Sequence, residues 1–251
     1  MRDFSYQLYS SRNFGPLDAT LQMVAGLGYT QVEGYGGLFA DGAAVDALAT
    51  ALDATGLTMP TGHFGLDLVE EDPAKAIALA RRIGLKAVFV PHIGEDLRPT
   101  DAAGWAAFGR RVAEAGKPLQ DAGLAYGWHN HDFEFTDLGG DDLPLDLVLQ
   151  GGDDLQLELD LAWVQVGGHD PAAWVGKYAD RILSAHIKDI APKGENADED
   201  GWADMGHGVV DWPGIKAALD ASSVQYLVME HDNPSDAVSY THLTLPTNSE
   251  V

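Results

Sequence analysis

The chain contains no cysteine, which removes disulfides, thiolate metal sites and a cysteine nucleophile together. Basic residues are scarce: 15 Lys and Arg stand against 39 Asp and Glu, a formal net charge of −24. Such a surface repels phosphate backbones and anionic lipid headgroups within a Debye length, so neither nucleic acid nor a membrane surface is an expected partner. Net charge bears on solubility and association and names no substrate. The acids are scattered through the predicted helices and loops, as a solvated face requires. No run reaches the ~18 apolar residues of a membrane span, and the start, MRDFSYQLYS, has no basic segment leading into an apolar one. A cytoplasmic protein is the expectation. No GxGxxG follows the first apolar run and no GxxxxGK[ST] occurs, so dinucleotide and P-loop chemistry have no motif to rest on.

What is present is an alternation. Of 251 residues 45% are hydrophobic, with 29 Gly and 12 Pro, ordinary for one globular α/β domain with a single core. Short apolar, β-branched or aromatic runs recur at 4–9, 30–35, 58–64, 87–92, 124–131, 155–160, 182–188 and 225–231. Helical start and stop signals lie between them. Pro16 precedes Leu17, Leu21 and Val24, with Gly28 at the stop. Val45, Leu48 and Leu52 end at Gly56, and Asp72–Pro73 opens a stripe of Ile77, Ala80 and Ile83 ending at Gly84. Trp105, Phe108 and Val112 lie on a fourth helix, with a kink expected near Pro118, and Asp170–Pro171 and Asp211 open two more. Eight strands spaced about 30 residues apart predict a closed (β/α)₈ barrel, with a doubly wound open sheet as the alternative. The pattern breaks after the eighth run. Residues 238–251, VSYTHLTLPTNSEV, carry Pro246 and no helical stripe, and SYTHLTLPT resembles the in-frame translation of a sequencing-library adapter. The expected domain is therefore 1–237, followed by a non-native read-through tail, with the final barrel helix missing or replaced.

Reacting groups in a parallel barrel sit at the C-terminal strand ends. Those ends supply Glu33, His63, His92, His129 and His131 with Glu134 beyond, Glu158 and Asp160, His186 with Lys188 and Asp189, and Glu230 with His231 and Asp232. Asp160, His186 and Glu230 come from three consecutive strands. Two carboxylates and an imidazole, with room for water and substrate oxygens, suit one Mn²⁺, Mg²⁺ or Co²⁺, and Zn²⁺ is compatible. Glu33, His63, Glu134 and Lys188 are candidates for substrate hydroxyls or oxyanions. Trp128, Trp163, Trp202 and Trp212 are candidates for an apolar wall beside a sugar. Glu158 shares the face of Asp160 at greater depth and reads as a buried, paired carboxylate.

QLYSSRN from Gln7, YGWHNHDFEF from Tyr126, LELDLAWV from Leu157, HIKD from His186, GHGVVDW from Gly206 and VMEHD from Val228 resemble, in order, segments of the sugar phosphate isomerase/epimerase family, the xylose isomerase-like barrels. The resemblance covers about residues 4–233. It implies one divalent cation held by carboxylates and histidine at the later strand ends, and isomerisation, epimerisation or dehydration of small polyhydroxylated carbonyl compounds. It assigns Asp160, His186 and Glu230 as ligands. Where many relatives end the fifth strand with a metal-binding Glu, this chain has His129-Asn130-His131. Period-two alternation puts His129 and His131 on one face. His129 takes the ligand position and His131 an acid/base role, with His129 and Glu230 as further candidates for the base. Trp163 and His207 stand where relatives carry His and Glu.

The expected function is proton transfer beside the carbonyl of a small sugar or keto-sugar through an enediolate, an isomerase or epimerase. An inosose-dehydratase-like or keto-sugar lyase is the alternative, because a neutral imidazole can accept a proton and later protonate a departing hydroxyl. A sugar-binding barrel without turnover and an apurinic endonuclease are the remaining readings, the latter opposed by the charge. A homo-oligomer is compatible with the sequence.

Overall fold

Eight parallel strands, each inside one of the predicted runs, close in the order β1-β10-β7-β6-β5-β4-β3-β2. The structure is a computed structural model and describes residues 3–238. The barrel strands are β1 (Phe4–Gln7), β2 (Gln31–Gly34), β3 (Thr58–His63), β4 (Ala87–Val90), β5 (Ala125–His129), β6 (Gln156–Asp160), β7 (Ile182–Ile187) and β10 (Tyr226–Met229). Between β7 and β10, Asp189–Ile190 (β8) and Trp202–Ala203 (β9) form an antiparallel hairpin that the sequence reading did not anticipate. The open-sheet alternative fails because β1 pairs with both β2 and β10.

Helices α1 (Leu17–Gly26), α2 (Gly42–Thr55), α3 (Leu66–Glu71), α4 (Pro73–Ile83), α5 (Ala102–Asp121), α6 (Pro144–Leu149), α7 (Leu161–Val166), α8 (Pro171–Lys177) and α9 (Trp212–Asp220) cover the outside. Their limits follow from local chemistry. Asp41, Asp72, Asp101, Asp170 and Asp211 each accept a backbone N–H of a first turn. Gly56 and Gly84 end α2 and α4 in the left-handed region, at φ 74° and 91°. Helix α5 runs through Pro118 to Asp121. Among the described residues no helix follows β10, and the expected read-through tail, apart from Val238, lies outside them.

Outside the barrel wall the strands pack apolar residues such as Tyr6, Val32, Val88, Trp128 and Leu157 against the helices. Inside it the usual Val, Ile and Leu layers are replaced by polar side chains: Ser5, Gln7, Glu33, Thr61, Glu158, Ser184 and His186 are all fully buried. Burying so many polar groups is costly unless they bind one another. Their pairing builds the site.

Candidate active site

Strand register brings the strand-end residues together. Gln7 lies beside Glu33, His129 beside Glu158, and Asp160 beside His186. Because side chains alternate with period two, Glu158 and Asp160 occupy successive levels of one face, and Glu230 stands one level above Val228, the β10 partner of His186.

Asp160, His186 and Glu230 converge, with one ligand atom of each within 4.8 Å of the others. His186 Nδ1 lies 2.8 Å from Glu230 Oε2 and 3.9 Å from Asp160 Oδ2. Lys188 Nζ stands 2.9 Å from Asp160 Oδ2, 3.1 Å from Glu230 Oε2 and 2.8 Å from Asp232 Oδ2. Burial alone would discharge Lys188, but Asp160, Asp232 and Glu230 outweigh it and hold the ammonium well above its ordinary pKa. Burial likewise opposes ionisation of Glu230, and Lys188 and His186 overcome it, keeping the carboxylate well below its usual range.

A second group adjoins this one through His186. His186 Nε2 is 2.7 Å from Glu33 Oε1, which also accepts from Gln7 Nε2 at 2.7 Å. Glu158 Oε2 takes His63 Nε2 at 2.5 Å, His129 Nδ1 at 3.2 Å and His186 Nε2 at 3.4 Å. Burial would lower His186, yet Glu230, Glu158 and Glu33 raise it well above 6.5. Burial and the neighbouring Glu158 push Glu33 up to about 7, against the two histidines. Burial and the charge on His186 push His129 down to about 4, so it is a neutral imidazole. His131 is likewise held well below 6.5, by burial and then by His129 and Lys188.

Above the polar floor opens a cavity of about 1250 Å³. His63, His129, His131, Glu230 and Asp232 line it, with His92, Trp163 and Trp202. The β8–β9 hairpin and the segment after it form one wall, and Asp189 holds that wall in place. Its buried carboxylate accepts from the backbone N–H groups of Ile190, Gly206, Gly208 and Val210 and from the Trp212 indole. A Cβ on residue 208 would lie 2.1 Å from Asp189 Oδ1, so only glycine admits the carboxylate there. The HIKD and GHGVVDW motifs are thus two halves of one loop anchor.

The sequence profile of a family described as xylose isomerase-like TIM barrel matches residues 21–245. The chain belongs to the xylose isomerase-like TIM barrel family. No curated protein matches it in sequence. Solved structures share the fold at low identity. A sugar phosphate isomerase/epimerase from Parabacteroides distasonis is 22% identical with a TM-score of 0.76, over 96% of this chain and 94% of that one. The probable 3-DHS dehydratase AsbF from Bacillus anthracis is 13% identical at 0.74, over 95% and 96%. An AP endonuclease of family 2 from Brucella melitensis is 14% identical at 0.72, over 97% of both chains.

In this xylose isomerase-like barrel the donor set fits a divalent cation. Asp160 Oδ2 is buried without a hydrogen bond, facing the ammonium of Lys188 at 2.9 Å and His186 Nδ1 at 3.9 Å. With Nε2–H donating to Glu33, His186 directs Nδ1 at two carboxylates. That arrangement requires positive charge between them, supplied either by a second proton on His186 or by a cation on the Nδ1 side.

The other expected residues separate. His129, expected as fourth ligand beside Asp160 and Glu230, groups with His63, Glu158 and His186, a second set with one ligand atom of each within 4.8 Å of the others. Glu33 is fully buried beneath His186, away from the cavity lining, and takes a hydrogen-bonding role toward His186 instead of a substrate contact. Lys188, also absent from the lining, faces carboxylates and the Trp202 ring, 4.6 Å away. Glu134 turns inward: Oε1 accepts from the Trp128 indole at 2.8 Å and Oε2 from the His131 N–H at 2.9 Å. Trp128 and Trp212 are buried, their indoles donating to Glu134 and Asp189, whereas Trp163 and Trp202 face the cavity. His207 is exposed. Asp232, which lines the cavity and holds Lys188, was visible in VMEHD but had no spacing signal to single it out.

Proposed function

We propose that this barrel is a divalent-cation-dependent isomerase or epimerase that moves a proton beside the carbonyl of a small sugar or keto-sugar. The observation that carries the reading is the convergence of Asp160, His186 and Glu230 within 4.8 Å of one another, with Glu230 opening onto the cavity beside the His129 and His131 imidazoles, which burial holds below the ordinary histidine pKa. Asp160, the Nδ1 of His186 and Glu230 would hold the cation; Mn²⁺, Mg²⁺ or Co²⁺ suits this oxygen-rich set, and Zn²⁺ is compatible. Bound there, a cation polarises a carbonyl and lowers the energy of the enediolate formed when a neighbouring C–H proton leaves. The chain's own residues do the rest. Glu33 fixes the His186 ring, and Lys188 ties Asp160, Glu230 and Asp232 together and helps hold Glu230 ionised. His131 lines the cavity with a free lone pair for the proton. His129 adjoins it, 5.2 Å between ring centroids, and can relay or return it. Glu230, held ionised by Lys188 and His186, is the weaker acceptor.

A dehydratase or lyase of the same substrate class is the second reading, favoured by one observation: the fifth strand presents the imidazoles of His129 and His131 to the cavity. An imidazole that has taken a C–H proton can deliver it to a departing hydroxyl. The test of both is metal content per chain by plasma mass spectrometry, before and after chelation and readdition of Mn²⁺, Mg²⁺, Co²⁺ and Zn²⁺. About one ion, lost in Asp160→Ala, supports the reading and directs a screen of keto-sugars and inososes. No ion under any condition overturns it.

A further inference from the structure

The cavity is larger and more apolar at its mouth than a monosaccharide requires. Clefts for drug-sized ligands span about 300–1,000 Å³, and this one holds about 1250 Å³. Its polarity is layered. The floor consists of the histidines and carboxylates already described. Above them stand two aromatic pairs, Tyr9 with Tyr35 (ring centroids 5.4 Å apart) and Trp163 with Trp202 (4.8 Å). At the rim, Val166 is 46% and Val209 53% exposed. Among the described residues five large hydrophobic side chains are exposed, and three of them, Tyr9, Val166 and Val209, line this one cavity. Scattered exposed hydrophobics need no explanation, but a cluster continuous with a polar floor does.

We infer that the substrate is a keto-sugar glycoside, its carbonyl on a ring carbon other than the anomeric one, whose ring meets the polar floor while a neutral, flat apolar aglycone lies between the two aromatic pairs; simple glycosides serve as binding probes of the aglycone site. An anionic substituent does not suit the mouth. The Arg12 guanidinium is committed to the carbonyls of Tyr9 and Asp232 and lies 3.7 Å over the Tyr9 ring. The other lining cation apart from histidine, Lys193, shares the rim with Glu195 and Asp200. An aromatic or fused-ring aglycone would bury its faces against Tyr35 and Trp202 and cover the rim valines, removing apolar surface from water on both sides.

This inference rests on the sugar-processing reading above, and its test is separable from the metal measurement. Matched methyl and phenyl β-glycosides of gluco, galacto and manno configuration are titrated into the full chain by calorimetry. In at least one pair the phenyl member is expected to bind about tenfold or more tightly than the methyl member. Val209→Ser and Tyr35→Ala are expected to bring that ratio below threefold, whereas Leu97→Ser, an exposed site away from the cavity lining, preserves it. The inference is overturned if no phenyl member binds, if no pair differs by more than threefold, or if Leu97→Ser erases the difference equally. It is overturned as well if Val166→Ser and Val209→Ser split a dimer, seen by light scattering, and leave the ratio intact, because the rim is then a subunit contact. A bound metal without phenyl preference refutes the aglycone site alone; phenyl preference in a chain that binds no metal refutes the catalytic reading and leaves the site standing.

Discussion

Replacing Glu33 should weaken cation binding without touching the cation. Glu33 Oε1 sits 2.7 Å from His186 Nε2 and is anchored in turn by Gln7. It therefore selects the tautomer in which Nδ1 is free to face Asp160 and Glu230. Loss of such a partner behind a metal-ligating histidine costs about 10–100-fold in affinity, ~1.4–2.7 kcal/mol. The two obvious variants divide that range. Glu33→Gln removes the charge but keeps an oxygen able to accept from His186, and is expected near tenfold. Glu33→Ala removes the acceptor as well, frees the ring to change tautomer, and is expected near a hundredfold. Titration of Mn²⁺ into the chelated chain, followed by calorimetry with Asp160→Ala as the reference for a lost ligand, reads both, and circular dichroism confirms folding. Wild-type affinity in both variants would refute the claim that Glu33 orients His186. Equal losses would show that charge, and not the hydrogen bond, is what Glu33 contributes.

Two further perturbations test the framework around the centre. Asp189→Ala strips five N–H donors of their buried acceptor, and a cost of about 3–5 kcal/mol is expected. Denaturant unfolding should show that loss and limited proteolysis should open the 190–211 segment first; a change under 1 kcal/mol with unaltered cleavage would contradict the anchor. At Glu134, burial pushes the carboxyl up to about 8, against the N–H bonds from the His131 backbone and the Trp128 indole. Between the ordinary carboxyl pKa of about 4.5 and 8 the folded chain thus holds a proton that the unfolded chain has released. This contribution is fully present on the acid side and is lost as pH rises through 8, at up to about 1.4 kcal/mol per pH unit. The stability of the wild type relative to Glu134→Gln should therefore fall between pH 5 and pH 8. A difference that stays level across that window would show that Glu134 is ionised throughout.

The strands and the convergence of Asp160, His186 and Glu230 were legible for one reason: each of the three stands at or near the end of a short apolar run. A parallel strand buried on both sides has no alternation to hide its limits, so Asp160, His186 and Glu230 stand out as the first charges after Leu159, Ala185 and Met229. Depth was legible only for Glu158, which shares a strand face with Asp160. Whether a strand-end side chain reaches the cavity or the layer beneath depends on register, and β2 slips against β3 between Gln31 and Glu33, which no local pattern announces. Glu33 was read as a cavity group for that reason, although it is fully buried and absent from the cavity lining; His129 lines the cavity and also faces Glu158. Glu134 was misplaced by a different cause: the turn over Phe133–Phe135 folds its carboxylate back onto the strand it follows.

The two-layer arrangement also explains why the barrel interior is polar. The role proposed for His186 needs a proton acceptor behind its ring, and in a closed barrel the space behind His186 is the core. Placing Glu33 there creates a buried charge that must be met, which Gln7 does from β1 and His186 from β7. Glu158 meets the same requirement with His63 and His129. Each polar residue is therefore the condition for the next, and the set spans β1, β2, β3, β5, β6 and β7. A single apolar replacement at any of these positions strands its partners, so stability and cation affinity are coupled through the same side chains. The cavity mouth escapes that coupling in part. Tyr35, Val166 and Val209 line the cavity away from that network, so substrate preference can change there without disturbing the polar side chains below, whereas Trp202, 4.6 Å from Lys188 Nζ, touches both.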